Sequence, residues 1–207
     1  MTLSKDIIRS MVKESYAKIA HSPGCGCSGD CCVGSSTPEH EQALDFSQSL
    51  GYTNDQLAIG LGEANLGLGC GNPLAIAELQ PGEQVIDLGS GAGFDAFLAA
   101  KSVGPEGRVI GIDMTPEMIN KAQKNAEQLD VENVEFRLGE IEHLPVEDDK
   151  ADVVLSNCVI NLSPDKRAVY GEIFRILKPG GRISISDVLR SRDIPKDLQD
   201  DPSAYTG

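Results

Sequence analysis

The sequence predicts an α/β fold in which a parallel, doubly wound sheet carries helices on both faces and a helical extension precedes it. Three observations carry this prediction. Short β-branched runs alternate with amphipathic stretches from residue 84 to residue 188, the rhythm of parallel strands joined by right-handed helical crossovers. A glycine turn, Gly89-Ser90-Gly91-Ala92-Gly93, joins the first strand to its helix. The 207 residues suffice for one substantial core with an N-terminal addition. The expected division is 1–72 for the helical, Cys-rich extension, 73–189 for the α/β core, and 190–207 for the start of a further part.

The elements follow in order. Residues 4–20 place Ile7, Ile8, Met11, Val12, Tyr16 and Ile19 at helical spacing, so this helix is expected to pack on the core or on a neighbouring element. His21 to Cys32 is a Gly, Ser and Pro loop holding Cys25, Cys27, Cys31 and Cys32. The paired C-x₂-C spacing of zinc sites is absent, and the cluster suits a large, soft, thiophilic ion or redox exchange. Thr37-Pro38 opens a helix that Gly51 stops, and Thr53-Asn54-Asp55-Gln56 is a capping box for a shorter one. A glycine-rich loop from Gly60 to Asn72 holds Cys70 between Gly69 and Gly71, on bare backbone, which favours a ligand role. Asn72-Pro73 starts a helix over 74–79.

Strands are then expected at 84–88, 108–112, 134–138, 152–156 and 182–188. The intervening helices lie at about 94–101, after Thr115-Pro116 with the stripe Met118, Ala122, Ala126, Leu129, and after Ser163-Pro164 with Val169, Ile173, Ile176 and Leu177 inward. Lys178-Pro179-Gly180-Gly181 closes the last one.

The net charge of −14 argues against partners with phosphate backbones and against anionic membranes. No apolar run approaches the ~20 residues of a spanning helix. Lys5, Asp6 and Arg9 break up the N-terminus, which lacks the apolar core of a signal peptide. A cytoplasmic protein with reduced thiols and a small-molecule substrate is expected.

Ligands in such sheets lie beyond the carboxyl ends of the strands. The glycine loop, Asp113, the Glu140-Ile141 corner and Asn157-Cys158 converge there. The spacing Gly89-x-Gly91-x-Gly93, preceded by Asp87, departs from the dinucleotide fingerprint, and no basic residue or G-K-[ST] offers phosphate recognition. A ligand with ribose but no phosphate fits better, its hydroxyls taken by Asp113 at the end of the second strand. This loop resembles that of the Rossmann-like class I S-adenosylmethionine methyltransferases. The resemblance implies S-adenosylmethionine as cofactor, held by Asp87, Gly89, Ser90, Gly91, Gly93, Asp113, Met114, Glu140, Ile141 and Asn157. That fold has seven strands, the last two an antiparallel edge pair, and five are visible here.

The segments Gly67-Leu68-Gly69-Cys70-Gly71-Asn72-Pro73, Gly139-Glu140-Ile141-Glu142, Ser156-Asn157-Cys158-Val159-Ile160-Asn161-Leu162 and Ile185-Ser186-Asp187 narrow the likeness. With the glycine loop, they are similar to those of arsenite methyltransferases. The resemblance implies that Cys70 and Cys158 bind trivalent arsenic, with arsenite or methylarsenite as substrate. The family's N-terminal cysteine has its counterpart in Cys32, with Cys31 or Cys27 as alternatives. Its further C-terminal cysteine has none, since no cysteine follows Cys158, and the chain is expected to be C-terminally truncated relative to the family.

The chemistry agrees with that resemblance. Thiolates displace oxygen from soft trivalent arsenic and leave its lone pair free to attack a sulfonium methyl, so no positioned His base is required. Catalysis then rests on positioning. Methylation formally oxidises arsenic, so a disulfide between an N-terminal cysteine and Cys70, reduced by thioredoxin or glutathione, is expected. The competing expectations are a methyltransferase of another small metabolite, such as a quinone precursor, and a non-catalytic arsenic-binding thiol module.

Overall fold

The structure, a computed structural model, describes residues 4–21, 38–59, 63–189 and 191. Before the sheet come α1 (Lys5–His21), α2 (Pro38–Ser49), α3 (Asn54–Ile59) and α4 (Leu74–Ala77). The core then alternates β1 (Gln84–Leu88), α5 (Phe94–Val103), β2 (Arg108–Asp113), α6 (Pro116–Leu129), β3 (Val134–Leu138), β4 (Ala151–Asn157), a 3₁₀ turn at Ile160–Leu162, α7 (Lys166–Ile176) and β5 (Leu177–Ser186). The cysteine cluster Cys25, Cys27, Cys31 and Cys32, the cap at Thr37, and 192–207 lie outside the described residues. Among the described residues, no helix is long and apolar enough to cross a membrane.

The five strands are parallel in the order β3-β2-β1-β4-β5. Alternate residues of each strand face opposite sides. Val85, Val109, Phe136, Val153 and Leu155 pack with α5 and α6 on one face. Ile86, Leu88, Ile110, Ile112 and Val154 pack with Val169, Ile173 and Ile176 of α7 on the other. Full burial of each such aliphatic side chain contributes roughly 1.5–3 kcal/mol. The chain winds outward from β1 to β3 on one side and through β4 to β5 on the other. The winding reverses between β1 and β4, where a crevice opens beyond the strand ends.

Local details correct some expectations. Thr53 and Gln56 form the capping box: Thr53 N–H donates to Gln56 Oε1 at 2.9 Å, and Gln56 N–H donates to Thr53 Oγ1 at 3.3 Å. Thr115 precedes Pro116 as expected, but its side chain makes no cap bond; its N–H donates to Asp113 Oδ1 at 2.8 Å. The cap of α7 is Asp165 rather than Ser163, accepting from Ala168 N–H at 3.1 Å. Ser163 Oγ is committed to buried Glu142 at 2.6 Å. Helix α4 stops at Ala77 because Arg182, paired with Glu83, donates to the carbonyls of Ala77 and Glu78 at 2.7 and 2.8 Å and takes over its last acceptors. Strand β5 begins at Leu177, paired with Ala151, and the Pro-Gly-Gly stretch is an irregularity within that pairing.

Candidate active site

A cleft of about 1160 Å³, its open mouth included, occupies the crevice between β1 and β4. Asp87, Gly89, Ser90, Gly91, Asp113, Met114, Ile141 and Asn157 line it. Gly93 and Glu140, two of the expected cofactor residues, do not. A Cβ on Gly93 would sit 2.7–2.8 Å from Phe97 and Phe136, so this glycine serves the packing of α5. Glu140 points away and pairs with Arg9 at 3.4 Å. Gly91 differs from Gly93: with φ +52 and open space where a Cβ would project, it lets a ligand approach bare backbone.

The lining is acidic. Asp87 is 2% exposed, and its Oδ2 has no hydrogen-bond partner; Ser90 Oγ is likewise buried and unpartnered. Burial, then the neighbouring charges of Asp95 and Asp113, pushes the Asp87 carboxyl well above the usual range. Burial also raises Asp95 and Asp113. Asp113 accepts from Gly91 N–H at 3.0 Å and Thr115 N–H at 2.8 Å, and a carboxylate has further lone pairs to offer the cleft. An unpartnered carboxylate oxygen on Asp87, with Asp113 beside the glycine cradle, fits a cationic nucleoside. S-Adenosylmethionine is such a group, bearing a sulfonium, an ammonium and one carboxylate. Arg9 is the sole Lys or Arg on the lining among the described residues.

Helix α1 supplies part of the cleft wall. It packs against α6 and places Arg9, Val12 and Tyr16 on the lining. Arg9 holds it there through Glu140 at 3.4 Å and buried Glu142 at 3.5 Å. The helical spacing of α1 indicated a packed face without showing what it covers.

Two thiols meet at the edge of this cleft. Cys158 lines it, and the Cys70 thiol lies near enough to Cys158 for the two to influence each other electrostatically. Both are free and half-buried. Cys158 follows the end of β4 with φ +57, uncommon for a side-chain-bearing residue. Its N–H donates to Ser186 O at 2.8 Å, and Asn161 Nδ2 donates to its Sγ at 3.6 Å. Burial, followed by the adjacent Cys158 and Asp187, pushes the Cys70 thiol up to about 12. Among the described residues, no group of three or more His, Cys, Asp or Glu is arranged to hold a metal ion.

Asn157 lines the cleft, but its amide is turned to the Cys70 loop. Oδ1 accepts from Cys70 N–H at 3.0 Å, while Nδ2 donates to Gly71 O and Asp95 Oδ2, each at 2.9 Å. Tyr52 Oη donates to Asp95 Oδ1 at 2.6 Å. Neither Tyr52 nor Asp95 was singled out from the sequence. Asp95 reads as an ordinary acid in the first turn of a helix, and Tyr52 as a core aromatic.

A family described as a methyltransferase domain matches residues 79–207. An arsenite methyltransferase of Halobacterium salinarum is 53% identical over 209 residues, covering 96% of this chain and 52% of that protein. One of Aquipseudomonas alcaligenes is 45% identical over 144 residues, 66% of this chain and 41% of that protein. The crystal structure of an arsenic(III) S-adenosylmethionine methyltransferase from Chlamydomonas reinhardtii superposes with a TM-score of 0.61 at 38% identity, covering 82% of this chain and 55% of that one. The chain thus spans about half the length, or less, of these relatives.

Proposed function

Because this chain belongs to the methyltransferase-domain family and is homologous to arsenite methyltransferases, we propose that it transfers the methyl of S-adenosylmethionine to trivalent arsenic held by Cys70 and Cys158. The observation that carries this reading is the thiol pair at the rim of an acid-lined cleft with a glycine cradle. When bound, the cofactor supplies an electrophilic methyl on a sulfonium. Asp87 and Asp113 provide negative charge toward that cation, and Asp113 takes the ribose hydroxyls. The glycine loop and Ser90 seat the nucleoside, and α1 shields it from water.

Arsenite is neutral As(OH)₃ at physiological pH. Each protonated thiol replaces one hydroxide, and its proton leaves with that hydroxide as water. Two exchanges give a bis-thiolate arsenic with one hydroxide left. The high affinity of the Cys70 sulfur for its proton is therefore compatible with substrate capture. It also keeps the charge of a Cys70 thiolate out of the acidic cleft until arsenic arrives. The lone pair of the held arsenic is the nucleophile, so alignment with the methyl carries the catalysis. A third ligand from Cys32, with Cys31 as alternative, and reduction of a disulfide to Cys70 by thioredoxin or glutathione in the cytoplasm complete the proposed cycle.

Incubation with arsenite, S-adenosylmethionine and a thiol reductant, followed by arsenic speciation, tests this reading. Methylated arsenic is expected, and Cys70→Ser and Cys158→Ser should abolish it. Stoichiometric arsenite binding without product would instead make the chain an arsenic-binding module. Neither binding nor product would return it to the methyltransferases of other small molecules.

A further inference from the structure

We propose that Asn157, clamped by Asp95 and Tyr52, is the positioning residue that fixes Cys70 against Cys158. One half-buried amide would then set the spacing of two arsenic ligands carried on different parts of the fold. The inference rests on the arsenite reading of the thiol pair and deepens it.

Cys158 is anchored by the strand before it: its N–H is bound by Ser186 O across β4 and β5. Cys70 has no such anchor, since it sits in irregular chain between α3 and α4. Its own backbone N–H is held by Asn157 Oδ1 at 3.0 Å, and the next carbonyl, Gly71 O, by Asn157 Nδ2 at 2.9 Å. The residue adjoining Cys158 thus grips the chain at the N–H of Cys70 and again at the carbonyl of Gly71, one residue further on. The grip needs the loop to lie flat on the amide. A Cβ on Gly69 would come within 2.7 Å of Asn157 Nδ2, and one on Gly71 within 2.7 Å of Ser186 Oγ. The glycines flanking Cys70 therefore serve close approach.

The amide is itself held. Asp95 Oδ2 accepts its other proton at 2.9 Å, and Asp95 Oδ1 accepts from Tyr52 Oη at 2.6 Å. Tyr52 is 5% exposed, and its ring lies 5.1 Å from that of Phe94. Asp95 stands in the first turn of α5, just after the glycine loop. The same helix start thus orders the cofactor cradle and, through Asn157, the thiol pair. An amide committed in this way is poorly disposed to serve the cofactor directly, despite facing the cleft.

The variant Asn157→Asp separates this role from a merely structural one. Its carboxyl can still accept from Cys70 N–H, but it faces Asp95 with no proton unless it is neutral. The other titratable groups nearby are Asp87 and Asp113 on the cofactor side, Tyr52, and Tyr16, Cys70, Cys158 and Asp187 on the thiol side. In this acidic surrounding, lowering the pH protonates the new carboxyl and restores a donor to Asp95.

Two measurements on the full chain are made. One is arsenite affinity by calorimetry. The other is bridging of Cys70 to Cys158 by a thiol-bridging bimane, located by peptide mass mapping, which needs no arsenic. S-Adenosylhomocysteine affinity is measured alongside. For Asn157→Asp, arsenite affinity and bridging rate are expected at least tenfold below wild type at pH 8. The ratio to wild type should recover severalfold at pH 5.5, while cofactor affinity changes less than threefold. Asn157→Leu should lose both properties at either pH, and Tyr52→Phe should lose severalfold of each.

Wild-type bridging and arsenite binding in Asn157→Leu would overturn the proposal. So would a variant-to-wild-type ratio that ignores pH, or a parallel tenfold loss of cofactor affinity. If wild type bridges its thiols but does not bind arsenite, the arsenite reading fails, while the positioning role is still decided by the bridging rates.

Discussion

Replacing Asp87 by Asn should stabilise the ligand-free protein while crippling its cofactor site. Asp87 is 2% exposed, its Oδ2 has no partner, and Asp95 and Asp113 stand near it. Asparagine has almost the same shape and removes the charge, but it leaves a polar amide in the same dry place. The net gain is therefore modest, about 1 kcal/mol, or ~2–4 °C in Tm for a chain of this size.

The pH dependence follows from the direction of the Asp87 shift. Its folded-state pKa is raised above that of the unfolded chain. Stability from its neutral form is fully present below the unfolded value of about 3.9 and is lost as pH rises through the folded value. The Tm advantage of Asp87→Asn should thus be largest at pH 7–8 and close toward pH 4. The same change removes a charged partner for the cofactor, worth ~1.5–3 kcal/mol, so affinity should fall roughly 10- to 150-fold. Differential scanning fluorimetry across pH and calorimetry with S-adenosylmethionine read both effects. A variant that is less stable at pH 8 and binds cofactor as wild type does would refute the argument that this buried acid awaits a cation.

Three further outcomes are expected. Gly69→Ala puts a Cβ 2.7 Å from Asn157 Nδ2; arsenite affinity by calorimetry should drop at least tenfold, with a stability loss of ~1–3 kcal/mol by denaturant unfolding. Because the Cys70 thiol is pushed up to about 12, its thiolate at pH 8 is scarcer than that of an ordinary cysteine by on the order of 10³-fold. Mass mapping of iodoacetamide labelling should find it slow and accelerating steadily above pH 9. Arg9→Ala removes the pairing to Glu140 and Glu142 that holds α1 over the cleft; faster amide exchange in Lys5–His21 and severalfold weaker cofactor binding should follow, from about 1 kcal/mol of lost contacts.

Much of this molecule was legible in its sequence because the signals are local. Strands β1 and β3 begin and end where the apolar runs do, since a half-buried or buried strand must place its side chains at a fixed period. The glycine loop announces a tight turn because only glycine takes its backbone freely. Asp87, Asp113 and Cys158 could be placed near one another because strand ends share one edge of a parallel sheet. Where two local signals competed, neighbours decided. Ser163 and Asp165 are both good caps, and Ser163 was drawn away by Glu142, a partner 21 residues distant. Gly93 reads as cradle, while a Cβ there would meet Phe97 and, from another strand, Phe136, so packing also calls for glycine.

By itself, the sequence determined the βα alternation, the glycine turn, the acids at the strand ends and the places of the cysteines along the chain. Only the tertiary structure decided that α1 walls the cleft, that Glu140 turns out to Arg9, and that Tyr52, Asp95 and Asn157 join into one clamp on the Cys70 loop. The physical reason is range. Propensity and periodicity act over a turn or a strand, whereas these contacts link residues up to 105 positions apart. They exist because strand order and burial bring polar groups into a dry interior, where each must find its partner.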